Sequence, residues 1–190
     1  NQYLGRGEVR LDWLTQESCR GLICLSGGPR GIIERHLMSK KLDEAEVITQ
    51  KLQTAFPGRF YIDLQRAGRK NDEAVASRMA GFAVKHNIPV VATHPIQFLK
   101  KEDFTAHEVR CCIASGHVLA DPRRPKDFSP EQYLKTEEEM LELFADIPQA
   151  IENTVVIAQR CNLDGVLQKP QLPVFPTPEG MSLDDYMVKL

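Results

Sequence analysis

Between residues 21 and 93 the chain alternates three short apolar runs with helical patterns, and this alternation restricts its fold more than any other feature. Gly21-Leu22-Ile23-Cys24-Leu25-Ser26 reads as a buried strand ending at a tight turn, where Gly27 and Gly28 permit the bend and Gly31 allows close packing. A short helix over Gly31 to Met38 follows. A longer one starts near Asp43, sets Ala45, Ile48, Leu52 and Ala55 on one face, and stops at Pro57-Gly58. Phe60-Tyr61-Ile62-Asp63-Leu64 is the second strand. Asn71 is placed to cap a helix with Val75, Met79, Phe82 and His86 as its inner face, ending near Asn87. Ile88 to Thr93 is the third strand, with Pro89 tolerated only at its first positions. Crossovers of this length imply parallel strands, right-handed connections and helices on the sheet faces. The choice is then an α/β barrel or a doubly wound sheet. Three strands are too few to close a barrel, so a barrel requires strands outside this sequence.

The second half changes character. Thr105 or Asp103 can cap a helix through Ile113, with Gly116 as its stop. A loop rich in proline and charge spans Asp121 to Pro130. Thr136-Glu137-Glu138-Glu139 is a capping box for a helix with Met140, Leu143 and Phe144 on one side. Asp146-Ile147-Pro148-Gln149 opens another helix, with Ile151, Val155 and Ala158 as its stripe and Asn162 as its end. Pro170, Pro173, Pro176 and Pro178 mark an extended connection, and Ser182 caps a last helix that runs to Leu190. With no initiator Met at Asn1 and a final helix without a stop, both ends read as cuts through a larger protein.

Composition narrows the function classes. Lys and Arg number 24 against 26 Asp and Glu, a net charge of −2, so no global electrostatic footprint for nucleic acid exists and any such contact is local. No run of about 18 apolar residues predicts a membrane span, and the first residues lack the pattern of a secretory signal. Five cysteines, Cys19, Cys24, Cys111, Cys112 and Cys161, fall at uneven spacing with no Cys-x-x-Cys pair, which reads as buried reduced thiols in a cytosolic protein.

In parallel α/β folds ligands collect beyond the C-terminal strand ends. That rule selects three loops: Ser26 to Arg30, Gln65 to Lys70, and Thr93 to Gln97. They are poor in catalytic groups. Leu25-Ser26-Gly27-Gly28 invites comparison with the signature loop of ABC-type ATPases, but no Walker A sequence occurs. A hydrolytic metal centre needs several converging His and carboxylate ligands, and these loops offer His94 with Asp63 as the nearest carboxylate. His94 reads as a hydrogen-bonded structural residue. His107 and Glu108, adjacent on a helix, do not face each other and so make no acid–base pair. Arg66, Arg69 and Lys70, with Arg30 nearby, could meet phosphate but read first as a solvated loop, as do Arg123, Arg124 and Lys126.

Several segments carry a resemblance: Gly21 to Gly28, Phe60 to Gly68, Val90 to Thr93, Ala106-His107-Glu108, Asp121-Pro122-Arg123-Arg124-Pro125, Glu137 to Met140, Leu143 to Pro148, Asn153-Thr154-Val155, Ile157-Ala158 and Arg160-Cys161-Asn162. In order, and over nearly the whole chain, they resemble the alpha subunits of the bacterial replicative polymerases of family C. The resemblance implies a partial parallel α/β barrel of the PHP (polymerase and histidinol phosphatase) type over residues 1–164, followed by helices and a proline-rich connection, with residues 165–190 leading into the polymerase palm. It implies a cytoplasmic parent chain that synthesises DNA on a primer-template with Mg in its palm, works with other replicase subunits, and gains no catalytic residue from this segment. Metal-binding PHP domains read Asn-Asp-Val-His where His94-Pro95-Ile96-Gln97 stands, and often carry a His where Ala67 stands. Asp63 matches an acidic family position but lacks partners, so Asp63, Ala67, Pro95 and Gln97 are degenerate positions and no metal or cofactor site is carried over. The implied role is a metal-free scaffold that docks the proofreading exonuclease subunit. The rival expectation is a metal-dependent phosphoesterase completed by a His-x-His motif preceding Asn1.

Overall fold

The computed structural model describes residues 9–163, 176–178 and 180–189. Its centre is a three-stranded parallel sheet in the order β1 (Cys24–Leu25), β2 (Phe60–Gln65), β3 (Val90–Thr93). Cys24 pairs with Phe60 and Leu25 with Tyr61, while Ile62 to Gln65 pair in step with Val90 to Thr93. β1 is shorter than the apolar run suggests. Its ladder is extended by the Cys24 N–H on the Arg59 carbonyl (2.9 Å) and the Ser26 N–H on the Tyr61 carbonyl (3.0 Å). α1 (Ile32–Met38) and α2 (Leu42–Ala55) join β1 to β2, and α3 (Asp72–Lys85) joins β2 to β3. Parallel strands joined through helices agree with the expected partial parallel α/β barrel.

The middle strand organises the core. Phe60 to Leu64 are all buried: Phe60, Ile62 and Leu64 pack with the helices, and Asp63 meets the turn after β1 and Thr93. Ile62 and Leu64 meet Ile33 and Leu37 of α1, Ala45, Ile48, Leu52 and Ala55 of α2, and Met79, Phe82 and Ala83 of α3 in one cluster. The α2 face is the one the spacing predicts. On α3 the buried face is Ala76, Met79, Phe82 and Ala83, with Val75 only partly covered.

The start of α3 differs from expectation. Asn71 sits at the N-cap in a left-handed conformation (φ 81°) and its side chain makes no cap bond. The carboxylate of Asp72, the first helical residue, serves the preceding loop, accepting from the Ala67 N–H (2.8 Å) and the Arg69 N–H (3.1 Å). Asp72 thus ties the loop after β2 onto the helix.

After β3, α4 (Phe104–Ser115) ends at Gly116 with φ 70°, as its glycine stop predicts. The capping box of α5 (Glu137–Leu143) is complete: Thr136 Oγ1 accepts from the Glu139 N–H (3.3 Å) and Glu139 Oε2 from the Thr136 N–H (2.8 Å). Phe144 just beyond it is fully buried. α6 (Pro148–Arg160) keeps Ile151 of the predicted stripe on the core but turns the rest of it outward. Ala150 is buried and Ile147 and Ile151 pack on the core, whereas Val155 and Ala158 are exposed. Its rotation is fixed where Asn153 Nδ2 donates to the Val90 carbonyl (2.7 Å), docking the helix on β3.

Contacts divide the chain into two compact units, Asn1–Arg160 and Cys161–Leu190. In the second, Ser182 caps α7 (Leu183–Lys189) by accepting the Asp185 N–H (3.1 Å), as predicted. Pro176 and Pro178 are described, while Pro170 and Pro173 lie outside the described residues. Among the described residues all five cysteines are free; Cys19 and Cys112 are buried, Cys24 and Cys111 half-buried, and Cys161 exposed.

Candidate functional site

A carboxylate inside a fully covered strand must find partners or destabilise the fold. Asp63, 4% exposed in β2, finds five. Its Oδ1 accepts from the Ser26 hydroxyl (2.8 Å) and the N–H groups of Gly27 (2.6 Å) and Gly28 (2.7 Å). Its Oδ2 accepts from the Thr93 hydroxyl (3.1 Å) and Gln65 Nε2 (3.3 Å). One side chain therefore links the C-terminal ends of all three strands. The turn after β1 is bent to allow this: Gly27 has φ 98°, a left-handed conformation that strains other residues and aims two successive N–H groups at Asp63.

Glu34 of α1 completes the cluster. It is 1% exposed, and its Oε1 lies 2.6 Å from the same Ser26 Oγ that contacts Asp63. Its Oε2 is buried without a hydrogen-bond partner. Burial pushes the Glu34 carboxyl up to about 7; hydrogen bonds from Ser26 and from its own backbone N–H offset part of that, and the Asp63 charge adds a smaller push in the same direction as burial. Burial likewise pushes the nearby Cys24 thiol up to about 11, so it is a poor nucleophile at neutral pH.

The three loops chosen from the sequence do converge. Gly27 and Arg30, Gln65 and Arg69, and Pro95 and Gln97 line a cleft of about 150 Å³ together with Asp127, Phe128 and Gln132. Among the described residues Arg30 makes no hydrogen bond or ion pair, but Arg69 is paired with Asp72 (3.1 Å) and Asp127 also faces the cleft. Two cations against two carboxylates leave it near electrical balance. A larger groove, about 680 Å³, lies elsewhere, between residues 11–16 and α2; Asp12 and Lys51 are its charged lining, and it gathers no catalytic cluster.

The degenerate positions fall unevenly around this cleft. Asp63 lies beneath it, and Pro95 and Gln97 line it. Ala67 is fully buried and does not: its N–H goes to Asp72 and its carbonyl accepts from Ser129 Oγ. His94 is a structural residue of the kind the sequence suggests, with Nε2 2.9 Å from the Glu131 carbonyl. Burial is the main cause holding its pKa down. These residues do not fit a metal ion. The lone pairs of Asp63 are taken by internal donors, Ala67 and Pro95 offer no ligating side chain, and Gln97 supplies an amide. Among the described residues no group of three or more His, Cys, Asp or Glu is placed to hold one.

Of the remaining sequence candidates, Lys70, Arg123 and Lys126 are exposed as a solvated loop predicts, while the others are bound up in structure. Arg66 is not solvated: at 12% exposure it donates to the Leu143 carbonyl (2.6 Å) and both oxygens of Asp146 (2.5 and 2.7 Å), and lies over the Phe144 ring. Arg124 pairs with Glu108 (2.5 and 2.8 Å), tying the 121–130 loop to α4. His107 is buried against Phe98 and Phe128, with Arg110 Nη2 3.1 Å from Nδ1 and Cys111 Sγ 3.4 Å from Nε2. It and Glu108 serve different partners. Ser26, Glu34 and Thr93 were not singled out by the sequence reading. The signal for Glu34 was present: Ile33 and Leu37 form an inward stripe, and Glu34 borders it.

Helix-covered parallel strands with a polar cluster at their C-terminal ends define the class, and the PHP domain family matches residues 1–67. In sequence the chain matches a segment of the DNA polymerase III alpha subunit. It is 48% identical over 184 residues to that subunit of Neisseria meningitidis serogroup A, covering 96% of this chain and 16% of the relative. Identity is 46% over 179 residues to the Pseudomonas aeruginosa subunit (94% and 15%) and 43% over 178 residues to that of Escherichia coli (94% and 15%). The chain spans about a sixth of the length of these relatives. No helix among the described residues is long and apolar enough to cross a membrane.

Proposed function

We propose that this segment is a metal-free scaffold within a replicative DNA polymerase alpha subunit: the later PHP domain over residues 1–164, and from 165 to 190 the connection to the palm. The observation that carries this reading is the saturation of Asp63 by five internal donors. A carboxylate that ligates a metal must turn lone pairs toward the ion, whereas this one spends them on the turn after β1, on Thr93 and on Gln65. Its work is to hold three strand ends together. The parent chain joins deoxynucleotides to a primer end, with Mg at palm residues outside this segment and primer-template DNA as its substrate. It acts in the cytoplasm with other replicase subunits.

A rigid domain with a closed former site is suited to holding a partner, and the partner proposed is the proofreading exonuclease subunit. Size-exclusion chromatography of the full-length alpha subunit with the exonuclease at micromolar concentration tests the docking role: co-elution supports it, separate elution counts against it. Dialysis of the full-length subunit against a chelator tests the scaffold role. Hydrogen-exchange protection of β2 is expected to be unchanged afterwards, and a loss of protection restored by zinc or manganese would favour the phosphoesterase alternative.

A further inference from the structure

The contact between Glu34 and Asp63 runs through a single hydroxyl. Ser26 Oγ lies 2.6 Å from Glu34 Oε1 and 2.8 Å from Asp63 Oδ1, and also accepts the Asp63 N–H at 3.2 Å. A hydroxyl has one proton to donate. If it serves Asp63, the short contact with Glu34 needs a second proton, and that proton can only be on Glu34. If it serves Glu34, Asp63 Oδ1 keeps two other donors while an uncompensated carboxylate sits in the core. We propose that Glu34, Ser26 and Asp63 form a proton-dependent latch, in which the neutral Glu34 acid donates to Ser26, Ser26 donates to the Asp63 carboxylate, and loss of the Glu34 proton loosens α1 and the 26–31 turn from the sheet end.

Among the described residues the surroundings offer Glu34 no cationic partner, and besides Ser26 the one other group favouring its ionised form is its own backbone N–H. From β2 the facing charge is Asp63, of the same sign. The polar residue on the buried face of α2 is Thr49, whose hydroxyl is committed to the Ala45 carbonyl (2.7 Å). On the buried face of α3 it is Asp72, committed to Arg69 and two loop N–H groups. Arg30 in the turn is exposed and unbonded, and Arg35 Nε points to the Gly31 carbonyl (3.4 Å). The Glu34 Oε2 atom, buried with no partner, is the atom an ionised carboxylate could least tolerate there. The turn packs directly on the Glu34 carboxyl, so closely that a Cβ at Gly31 would overlap both the Ser26 carbonyl and that carboxyl. With the Glu34 carboxyl pushed up to about 7, the latch is closed in mild acid and strained in mild alkali. The inference stands apart from the scaffold reading: it depends on neither the metal question nor the exonuclease.

Hydrogen–deuterium exchange by mass spectrometry on the full-length subunit tests it, with rates corrected for intrinsic exchange. The opening equilibrium of peptides covering residues 26–38 is expected to rise roughly twentyfold between about pH 5.5 and 8, while peptides of α4 stay level. Glu34→Gln, whose amide donates to Ser26 at every pH, is expected to flatten that profile. A wild-type profile that is level over 26–38, or one shared equally by α4, overturns the latch. So does a Glu34→Gln profile as steep as the wild type. If Glu34→Gln yields no soluble subunit, the comparison of 26–38 with α4 in the wild type still decides.

Discussion

Asp63 and Glu34 are two buried carboxyls a hydroxyl apart, and they have opposite effects on stability. Asp63 is satisfied by five donors, so removing it costs more than the bonds themselves: Asp63→Ala leaves the Gly27 and Gly28 N–H groups without their acceptor in a closed site. We expect a loss of about 3–5 kcal/mol, read as faster exchange across β2 and the 26–31 turn. For Glu34 the sign reverses. Its folded-state pKa lies above the ordinary value of 4.5, at about 7, so the folded form holds its proton more tightly than the unfolded chain does. Stability from this group is fully present below about pH 4.5, falls as pH rises through 7, and levels off above, a swing on the order of 3 kcal/mol. Denaturation at pH 5 and pH 8 checks the direction, and Glu34→Gln is expected to be the more stable form at pH 8. Asp63 was legible in the sequence as a lone acid on an apolar strand. Its partners were not, because Ser26, Gly27 and Thr93 come from distant positions that only the parallel register aligns.

The strand–helix alternation and the core face of α2 could be read because each depends on local periodicity and local breakers. The inward face of α6 could not, because Asn153 sets it by reaching the Val90 carbonyl on another element. The cap of α3 misled for a related reason: Asn71 takes a left-handed conformation and Asp72 caps the preceding loop instead. Between elements, two arginines act as clips. Arg66 joins the end of β2 to the α5–α6 turn through Leu143, Asp146 and Phe144. Because Asp146 is largely exposed, the ion pair itself contributes little, and the buried carbonyl bond and ring contact matter more. Arg66→Ala is expected to cost about 2 kcal/mol and Arg66→Lys nearly as much, since lysine cannot reproduce the fork; exchange of α5 and early α6 peptides reads both. At the turn after β1, Gly31→Ala is expected to be among the most damaging small substitutions. It forces a methyl group onto backbone and a buried carboxyl, at about 3 kcal/mol or more, seen as reduced soluble yield.

For the molecule as a whole, the net charge of −2 gives this segment no global electrostatic footprint for nucleic acid. It says nothing against a parent that binds DNA elsewhere. The family resemblance was legible because it is carried by short blocks spread along the chain, and those blocks now have physical reasons. The first holds the turn that feeds Asp63, the second holds Asp63 and Arg66, and the 121–125 block holds the Arg124 clip to Glu108. The proposal that hydrogen bonds take up the Asp63 carboxylate in place of a metal is the central claim. Elemental analysis of the full-length subunit, purified without chelators and compared with Asp63→Asn, tests it most directly. Zinc and manganese far below one equivalent in both proteins is the expected result. A stoichiometric metal in the wild type that disappears with Asp63→Asn would contradict it.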